Sequence, residues 1–463
     1  MAWRISGSQS VAVFGTALSL LSCTAPAPPA RPRNILVITL DTMRADRLPA
    51  YGFSGVSTPA LDALAAEGML FEAAFASTPL TLPSHATIFT GLYPSKFDIR
   101  DNAGTPLRPE FQTLAETMAA RGLRTGAFVA SAVLAADRGL EQGFQTYSAA
   151  GSESCRGGRA RRPANAVVDD TLGWLAKDTA PFFAWMHLYD THRPYRLPDE
   201  YSRGYPDPYL AAITFEDSQI ARVVEHLRGR RMLDETLIVI VGDHGESLGD
   251  HGEESHGIFI YQEALHVPLI MRGPGVTTGR VTNPVRLVDV MPTILEVAGI
   301  EVPHLDGVSL GRLLKGLPEE QGREVYAESL YPERFGWAPL RSVRADRYKV
   351  IDAPRPELYD LELDPREQSN LVAARPSVAA AMLARVRAEK DVRLPQVQTP
   401  LSDERAAQLA SLGYVAKGPA EAAGASSLGA DPKDMINDFN RFTSMQAATA
   451  GAPPRCAQTP GTR

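Results

Sequence analysis

Between residues 242 and 257 the chain reads GDHGESLGDHGEESHG, a run in which Asp, Glu and His recur at intervals that fit neither a helix face nor a strand face. Gly242, Gly245, Gly249, Gly252 and Gly257 interrupt any regular element and allow a tight loop. Such a loop can gather carboxylate and imidazole groups around one divalent cation, although a solvated charged loop has the same composition. Asp41 follows one short apolar run, NILVITL, and Asp243 and His244 follow another, TLIVIV. If these runs are neighbouring strands, the three side chains converge at their ends. Two carboxylates and an imidazole suit Ca²⁺, Mg²⁺, Mn²⁺ or Zn²⁺, and the mixed oxygen and nitrogen set favours Mn²⁺ or Zn²⁺.

A second constellation is Thr81, Leu82, Pro83, Ser84 and His85, followed by the apolar stretch Ala86 to Thr90 and by Gly91. Proline just inside a helix start, with a hydroxyl residue before it, marks a helix N-terminus. Thr81 would then sit where the helix dipole and free N–H groups favour an anion. An unperturbed threonine hydroxyl is a poor nucleophile and needs a metal or a base to activate it. A threonine N-cap has the same local shape.

The elements that must position these residues are short. Asn34 to Leu40 and Thr236 to Val241 are continuous apolar runs, the pattern of strands buried on both faces of a parallel sheet. Gly126 to Ala130 and Phe182 to Met186 have the same character, and the helical stretch Gln112 to Arg121, stopped by Gly122, lies between other elements. Strands alternating with helices predict an α/β fold with a doubly wound, mostly parallel sheet. Ligands bind such sheets beyond the carboxyl ends of the strands, where Asp41, His187 to His192 and Asp243 fall.

After about residue 318 the chain changes to short segments, Glu324 to Ser329, Leu340 to Val343 and Tyr348 to Ile351, which predict a small antiparallel sheet. Ala379 to Arg387 reads as a helix packing on it, with Val378, Met382 and Val386 at helical spacing. The expected organisation is a catalytic domain over 34–318, a small C-terminal α+β subdomain over 319–390, and a mostly flexible tail over 391–463 rich in Ala, Pro and Gly.

The first residues read as a targeting segment. Arg4 gives a charged start, Val11 to Leu21 an apolar stretch too short to span a membrane, and Leu20, Leu21, Ser22 and Cys23 a cleavage site ending in cysteine. This resembles a bacterial lipoprotein signal over 1–23, with 24–33 as a linker. An exported, periplasmic or cell-envelope lipoprotein is therefore expected, touching the membrane only through a lipid on Cys23. Cys155 and Cys456 remain, too few for a disulfide framework. The formal charge of −7 argues against a nucleic-acid partner, since affinity there comes from Lys and Arg neutralising phosphates.

Taken together, six ordered blocks resemble the sulfatase family of the alkaline phosphatase superfamily over Asn34 to about Leu371. They are NILVITLDTMRADRL (34–48), TLPSHATIFTGLYP (81–94), DTHRPY (190–195), GDHGESLGDHG (242–252), LVDVMPTILEVAGI (287–300) and ELYDLELDPREQSNL (357–371). The resemblance implies that Asp41, Asp243 and His244 bind one divalent metal, Ca²⁺ in typical sulfatases, and that Thr81 is the nucleophile and touches that metal. It places His192 near the leaving group, His256 against the substrate's anionic oxygens, and Asn102 in an oxyanion pocket. A second metal held by Asp190 and His192 is conceivable by analogy with two-zinc relatives. Arg44 and Asp46 belong to the first block with structural roles expected, as they are for His187, Asp190, His251 and His266.

The nucleophile block departs from the family pattern. Typical members carry CxPxR or SxPxR, whose Cys or Ser is oxidised to formylglycine. Here the Cys position is Thr81 and the Arg position is His85, which becomes a candidate substrate-binding residue. Threonine bears a methyl group on Cβ and cannot give that aldehyde, so no formylglycine is expected. Threonine nucleophiles at this place resemble those of nucleotide phosphodiesterases and of phosphoethanolamine and phosphoglycerol transferases. The expected function is metal-dependent hydrolysis of sulfate or phosphate esters, small-molecule or glycan, through a threonyl ester. A transferase acting on envelope glycans or lipids, or a binding protein without turnover, are the alternatives. LASLGYVA (409–416) resembles a segment that precedes tetratricopeptide repeats in related secreted proteins, and Pro432 to Ala447 reads as a single helix.

Overall fold

NILVITL forms a strand, β1 (Asn34–Leu40), in which all seven residues are buried. In this computed structural model the described residues are 31–150, 160–319, 322–388, 403–412, 414 and 429–449, with Met1 and Trp3. Most of the expected lipoprotein signal, including Cys23, most of the linker, and Cys155 and Cys456 lie outside the described residues.

The larger sheet comprises β1 together with β2 (Met69–Phe75), β3 (Arg124–Val129), β4 (Thr146–Ala149), β5 (Phe182–Leu188), β6 (Thr236–Gly242), β7 (His266–Arg272), β8 (Gly279–Val281) and β9 (Val285–Arg286). Its order is β4-β3-β5-β1-β6-β7-β2-β8, with β9 also pairing β2. β1 lies between β5 and β6, parallel to both, and β7 runs antiparallel to its neighbours β6 and β2. The mostly parallel sheet flanked by helices is the α/β architecture the apolar runs predict. Those runs are nearly all apolar because the central strands meet side chains on both faces. Helices Ala164–Leu175 and Pro208–Gly229 pack on each other, the first also covering β3 and β5.

Two helix starts differ from expectation for local reasons. The helix expected from Gln112 begins at Leu114, because Thr113 accepts from the Glu116 backbone while the Glu116 side chain accepts from that of Thr113. This reciprocal capping box fixes the first turn. In the helix Thr81–Thr90, Thr81 is the first helical residue and not the cap, which is Leu80 in an extended conformation. All ten residues of that helix are buried.

A second sheet, β10 (Val325–Ser329), β11 (Leu340–Ala345), β12 (Tyr348–Asp352) and β13 (Glu357–Asp360), is an antiparallel meander. The helix Pro376–Ala388 lays Ala379, Met382 and Val386 against Val343, Val350 and Leu358. The meander joins the larger domain through its other face, where Val325, Ala327, Leu340, Ile351 and Tyr359 lie in the main core cluster, and through polar contacts. Glu328 N donates to Ser77 O at 2.9 Å, Arg100 pairs with Glu328 at 2.5 Å, and Lys349 donates to Ile260 O at 2.6 Å.

The tail expected to be mostly flexible contains two helices among the described residues, Asp403–Ser411 and Pro432–Thr449. Leu409, Leu412, Ile436 and Phe439 are buried in the main core cluster. Phe439 also packs edge-on against Tyr331 and Phe335. These anchors are few and widely spaced, so their order was hidden by the Ala, Pro and Gly around them. No helix among the described residues is long and apolar enough to cross a membrane.

Candidate active site

β1 and β6 pair with Leu40 opposite Gly242, so Asp41 and Asp243 are the next residues of two adjacent parallel strands. Their carboxylates and the His244 ring are fully buried, and one ligand atom from each lies within 4.8 Å of the others. Asp41 Oδ1 and Asp243 Oδ2 have no hydrogen-bond partner. The other oxygens are held: Asp41 Oδ2 by His187 Nε2 at 3.2 Å, and Asp243 Oδ1 by the backbone N–H groups of Thr42 and His244 at 3.2 and 2.8 Å. His244 Nδ1 donates to Gly245 O at 2.9 Å, which leaves the Nε2 lone pair facing inward.

Unpaired carboxylate oxygens in a buried site are costly. Burial pushes the Asp41 carboxyl up to about 8, and burial with the neighbouring Asp41 pushes Asp243 well above the carboxylate range. Both would be ionised only beside a positive charge. Two orphaned oxygens and an imidazole lone pair therefore fit a divalent cation. His187 supports the set from behind: its Nδ1 accepts from Ala130 N at 3.2 Å, so Nε2 carries the proton given to Asp41. Second-layer partners of this kind orient metal ligands.

Thr81 Oγ1 lies 3.3 Å from His244 Nε2, at the edge of this cluster. The helix behind it offers fewer free donors than expected. Leu82 N is taken by Asn102 Oδ1 at 2.8 Å, Pro83 has no N–H, and Ser84 N bonds Leu80 O at 3.1 Å. What remains is the dipole of the helix and the Asn102 amide. Asn102 Nδ2 is buried without a partner, an available donor next to Thr81. The Arg334 guanidinium fixes this loop by pairing with Asp101 at 2.7 Å.

His85 is held on both ring nitrogens by the protein. Nδ1 donates to Thr81 O at 2.7 Å and Nε2 meets Thr39 Oγ1 at 2.9 Å, while Trp185 Nε1 donates to the same hydroxyl. Both ring nitrogens are satisfied within the protein, and burial holds the ring neutral. A substrate-binding role was expected for His85; in the structure it stands under the helix Thr81–Thr90 and holds the Thr81 carbonyl, with Nδ1 3.5 Å from Asp243 Oδ2.

Opposite the cluster stand His192 and His256. His192 Nδ1 donates to Arg193 O at 2.5 Å, and burial keeps its ring neutral, so its Nε2 presents a lone pair. His256 Nδ1 meets Glu246 Oε1 at 3.1 Å; burial opposes its charge, but the carboxylates of Glu246, Asp41 and Glu253 together outweigh this and raise its pKa. Its Nε2 therefore presents a proton. Tyr414 Oη lies 3.2 Å from His192 Nε2 and 3.1 Å from His256 Nε2. Glu246 and Tyr414 carry no expected role from sequence. Glu246 lies in the dense acidic loop, three residues after Asp243, but Tyr414 lies in LASLGYVA, a tail segment whose resemblance to one preceding tetratricopeptide repeats says nothing of the site.

The remaining candidates are framework. Asp190 Oδ2 accepts from Ala164 N at 2.8 Å and its own N–H donates to Glu216, which ties a helix start to the site. His251 bonds Glu263 at 2.6 Å and the Glu367 carbonyl, and stacks on Tyr261. His266 Nε2 donates to Glu72 O at 2.7 Å. Asp190 and His192 are not joined to the metal cluster among the described residues. Arg44 pairs with Asp46 and Asp250 at 2.8 Å and donates to the carbonyls of Glu246 and Ser247, clamping the loop that carries the site. Arg44→Ala is expected to lower stability by about 2 kcal/mol, the scale of hydrogen bonds to a charged group, with the two carboxylates half exposed. Urea denaturation measures this, and Arg44→Lys should recover less than half, lacking the planar fork.

The family model described as Sulfatase matches residues 33–300, and the model described as N-sulphoglucosamine sulphohydrolase, C-terminal, matches residues 249–391. Similar proteins include a choline-sulfatase of Rhizobium meliloti, 26% identical over 73% of this chain and 82% of the relative. A Δ4,5-hexuronate-2-O-sulfatase of Bacteroides thetaiotaomicron is 24% identical over 76% of this chain and 87% of its own length. Among solved structures, the phosphonate monoester hydrolase of Agrobacterium radiobacter superposes with a TM-score of 0.68 at 23% identity, covering 81% of this chain and 99% of the other.

Proposed function

The chain belongs to the sulfatase family, and we propose that it hydrolyses sulfate or phosphate esters through a covalent ester on Thr81. One observation carries the reading. A buried hydroxyl stands 3.3 Å from an imidazole nitrogen of an Asp–Asp–His cluster with two orphaned carboxylate oxygens. Asp41, Asp243 and His244 are the residues that would hold a metal. A divalent cation bound there would act as a Lewis acid, lowering the pKa of a nearby hydroxyl and neutralising anionic oxygens.

Thr81 Oγ1, its proton released to solvent as its pKa is lowered, forms the bond to phosphorus or sulfur as the ester oxygen departs in line with its electron pair. The leaving oxygen takes a hydrogen bond or proton from His256 Nε2, the nitrogen that carries one. Asn102 Nδ2 donates to a non-bridging oxygen of the transition state, where charge accumulates. His192 Nε2, with its lone pair, accepts a proton from the water that then cleaves the threonyl ester. This divides the work between the two histidines differently from the sequence expectation, in which His192 served the leaving group.

Thr81 in place of Cys or Ser supports phosphate esters beside sulfate esters, because the formylglycine hydrate cannot form from it. An exported lipoprotein fits such a scavenging or envelope role, and remains part of the proposal. Chromogenic sulfate monoesters, phosphate monoesters, phosphodiesters and phosphonate monoesters, assayed with Mn²⁺, Zn²⁺ or Ca²⁺, test it. Turnover of at least one class is expected; none on any class with any metal would reject hydrolysis.

The Glu246–His256 pair yields a pH prediction. His256 acts protonated, and Glu246 raises its pKa. Activity should therefore fall as pH rises through that pKa, and Glu246→Gln should move the fall to lower pH by roughly one unit. Profiles of kcat/KM against pH for the two proteins decide it. An alkaline limb left in place would remove His256 from the acid role.

A further inference from the structure

The tail helix Asp403–Ser411 ends beside the catalytic groups, and the chain beyond it reaches into them. Leu409 and Leu412 are buried in the main core, and Tyr414 is only 4% exposed. The phenol oxygen lies 3.2 Å from His192 Nε2 and 3.1 Å from His256 Nε2. Donor directions close along this line. His256 Nε2–H donates to Tyr414 Oη, and the phenol O–H donates to the His192 lone pair. Thr81, Asp41 and Asp243 are among the groups whose charge or hydrogen bonding acts on this same hydroxyl.

The oxygen that a substrate must present to these two nitrogens has the same position and the same hydrogen-bonding character. Both cannot be there at once. We infer that the helix Asp403–Ser411, with Leu412 and Tyr414 after it, is an intrasteric gate: the Tyr414 phenol occupies the leaving-group subsite, and an ester enters by displacing it. The inference rests on the roles given to His192 and His256 under the proposed function. Leucine anchors hold the segment by apolar contact, while Tyr414 alone supplies the oxygen bridging these two histidines. Losing the hydroxyl should therefore free the histidines without detaching the helix.

A closed fraction lowers the apparent affinity of any anion for the site in proportion to the open fraction. The test uses the full chain, Tyr414→Phe and Tyr414→Ala. Calorimetry measures binding of inorganic phosphate and of sulfate in the presence of Mn²⁺, and steady-state kinetics with chromogenic esters separates kcat from KM. Tyr414→Phe is expected to tighten phosphate or sulfate binding and lower KM about tenfold, the scale of one or two net hydrogen bonds. Tyr414→Ala should do at least as much, with kcat undiminished in both. If the alanine variant does not fold, the phenylalanine variant, which keeps the ring, decides. A tenfold fall in kcat with KM unchanged would overturn the gate and make the phenol a participant in turnover. Unchanged anion affinity in both variants would overturn it too. Should wild type and variants hydrolyse no ester, the proposed function fails, and the anion-binding arm still decides the gate.

Discussion

Thr81→Ala is expected to lower kcat by at least about 10⁴-fold, as removal of a nucleophile that works as a unit with its neighbours does. The residue is the first of a fully buried helix, and its hydroxyl contacts His244 Nε2 at 3.3 Å. Deleting the hydroxyl and methyl leaves the backbone carbonyl that His85 holds at 2.7 Å, and leaves the Leu82 N–H to Asn102 bond at 2.8 Å. The helix should therefore start in the same place. Asp41, Asp243 and His244 keep every other contact, so the metal content of purified protein should stay within a factor of two or so of wild type, since three ligands remain. Thr81→Ser keeps the oxygen and should retain turnover well above that of the alanine variant. Steady-state kinetics and elemental analysis on the same preparations check both halves. Activity in the alanine variant within tenfold of wild type would end the nucleophile assignment.

Removing the metal is expected to have an effect of similar size. A chelator should abolish turnover, and Mn²⁺ or Zn²⁺ should restore it. Without a cation, burial raises the Asp41 carboxyl to about 8 and Asp243 well above the carboxylate range. Carboxyls of the unfolded chain titrate near about 4. Between those values the native metal-free state binds protons that the unfolded state has released. For an acid whose folded pKa is raised, the stabilising contribution is complete below the unfolded pKa and declines as pH rises toward the folded one. Metal-free protein should thus lose stability as pH climbs from about 4 toward about 8. Metal binding displaces the same protons, so metal affinity should rise over that window. Urea denaturation across this range, with and without metal, is expected to show a gap that widens with pH. A constant or narrowing gap would contradict the assignment of these carboxylates as ligands.

How far the sequence could be read depended on distance along the chain. The central strands were legible because β1, β5 and β6 are apolar on consecutive residues, and the side chains that follow them, Asp41 and Asp243, break those runs abruptly. Thr81 was legible from Pro83 and the apolar helix after it, though its place inside the helix and not at its cap was not. Tautomers were not legible at all. Whether His192 presents a lone pair or a proton is set by the carbonyl of Arg193, and the charge of His256 is favoured by the surrounding carboxylates, Glu246 first among them. His85 looked like an Arg replacement facing substrate, while its two partners, Thr39 and the Thr81 carbonyl, bury it beneath the helix. Tyr414 meets His192 across 222 residues, and no local pattern records a contact of that span.

The central claim is the covalent ester on Thr81. Incubation with a slowly hydrolysed ester, acid quench, proteolysis and mass spectrometry test it most directly. The expected result is a phosphoryl or sulfuryl group on the peptide containing Thr81, carried on residue 81 in Thr81→Ser as well and absent from Thr81→Ala. Turnover of that ester with no modified Thr81 peptide at any quench time, under conditions that preserve threonyl esters, would contradict it.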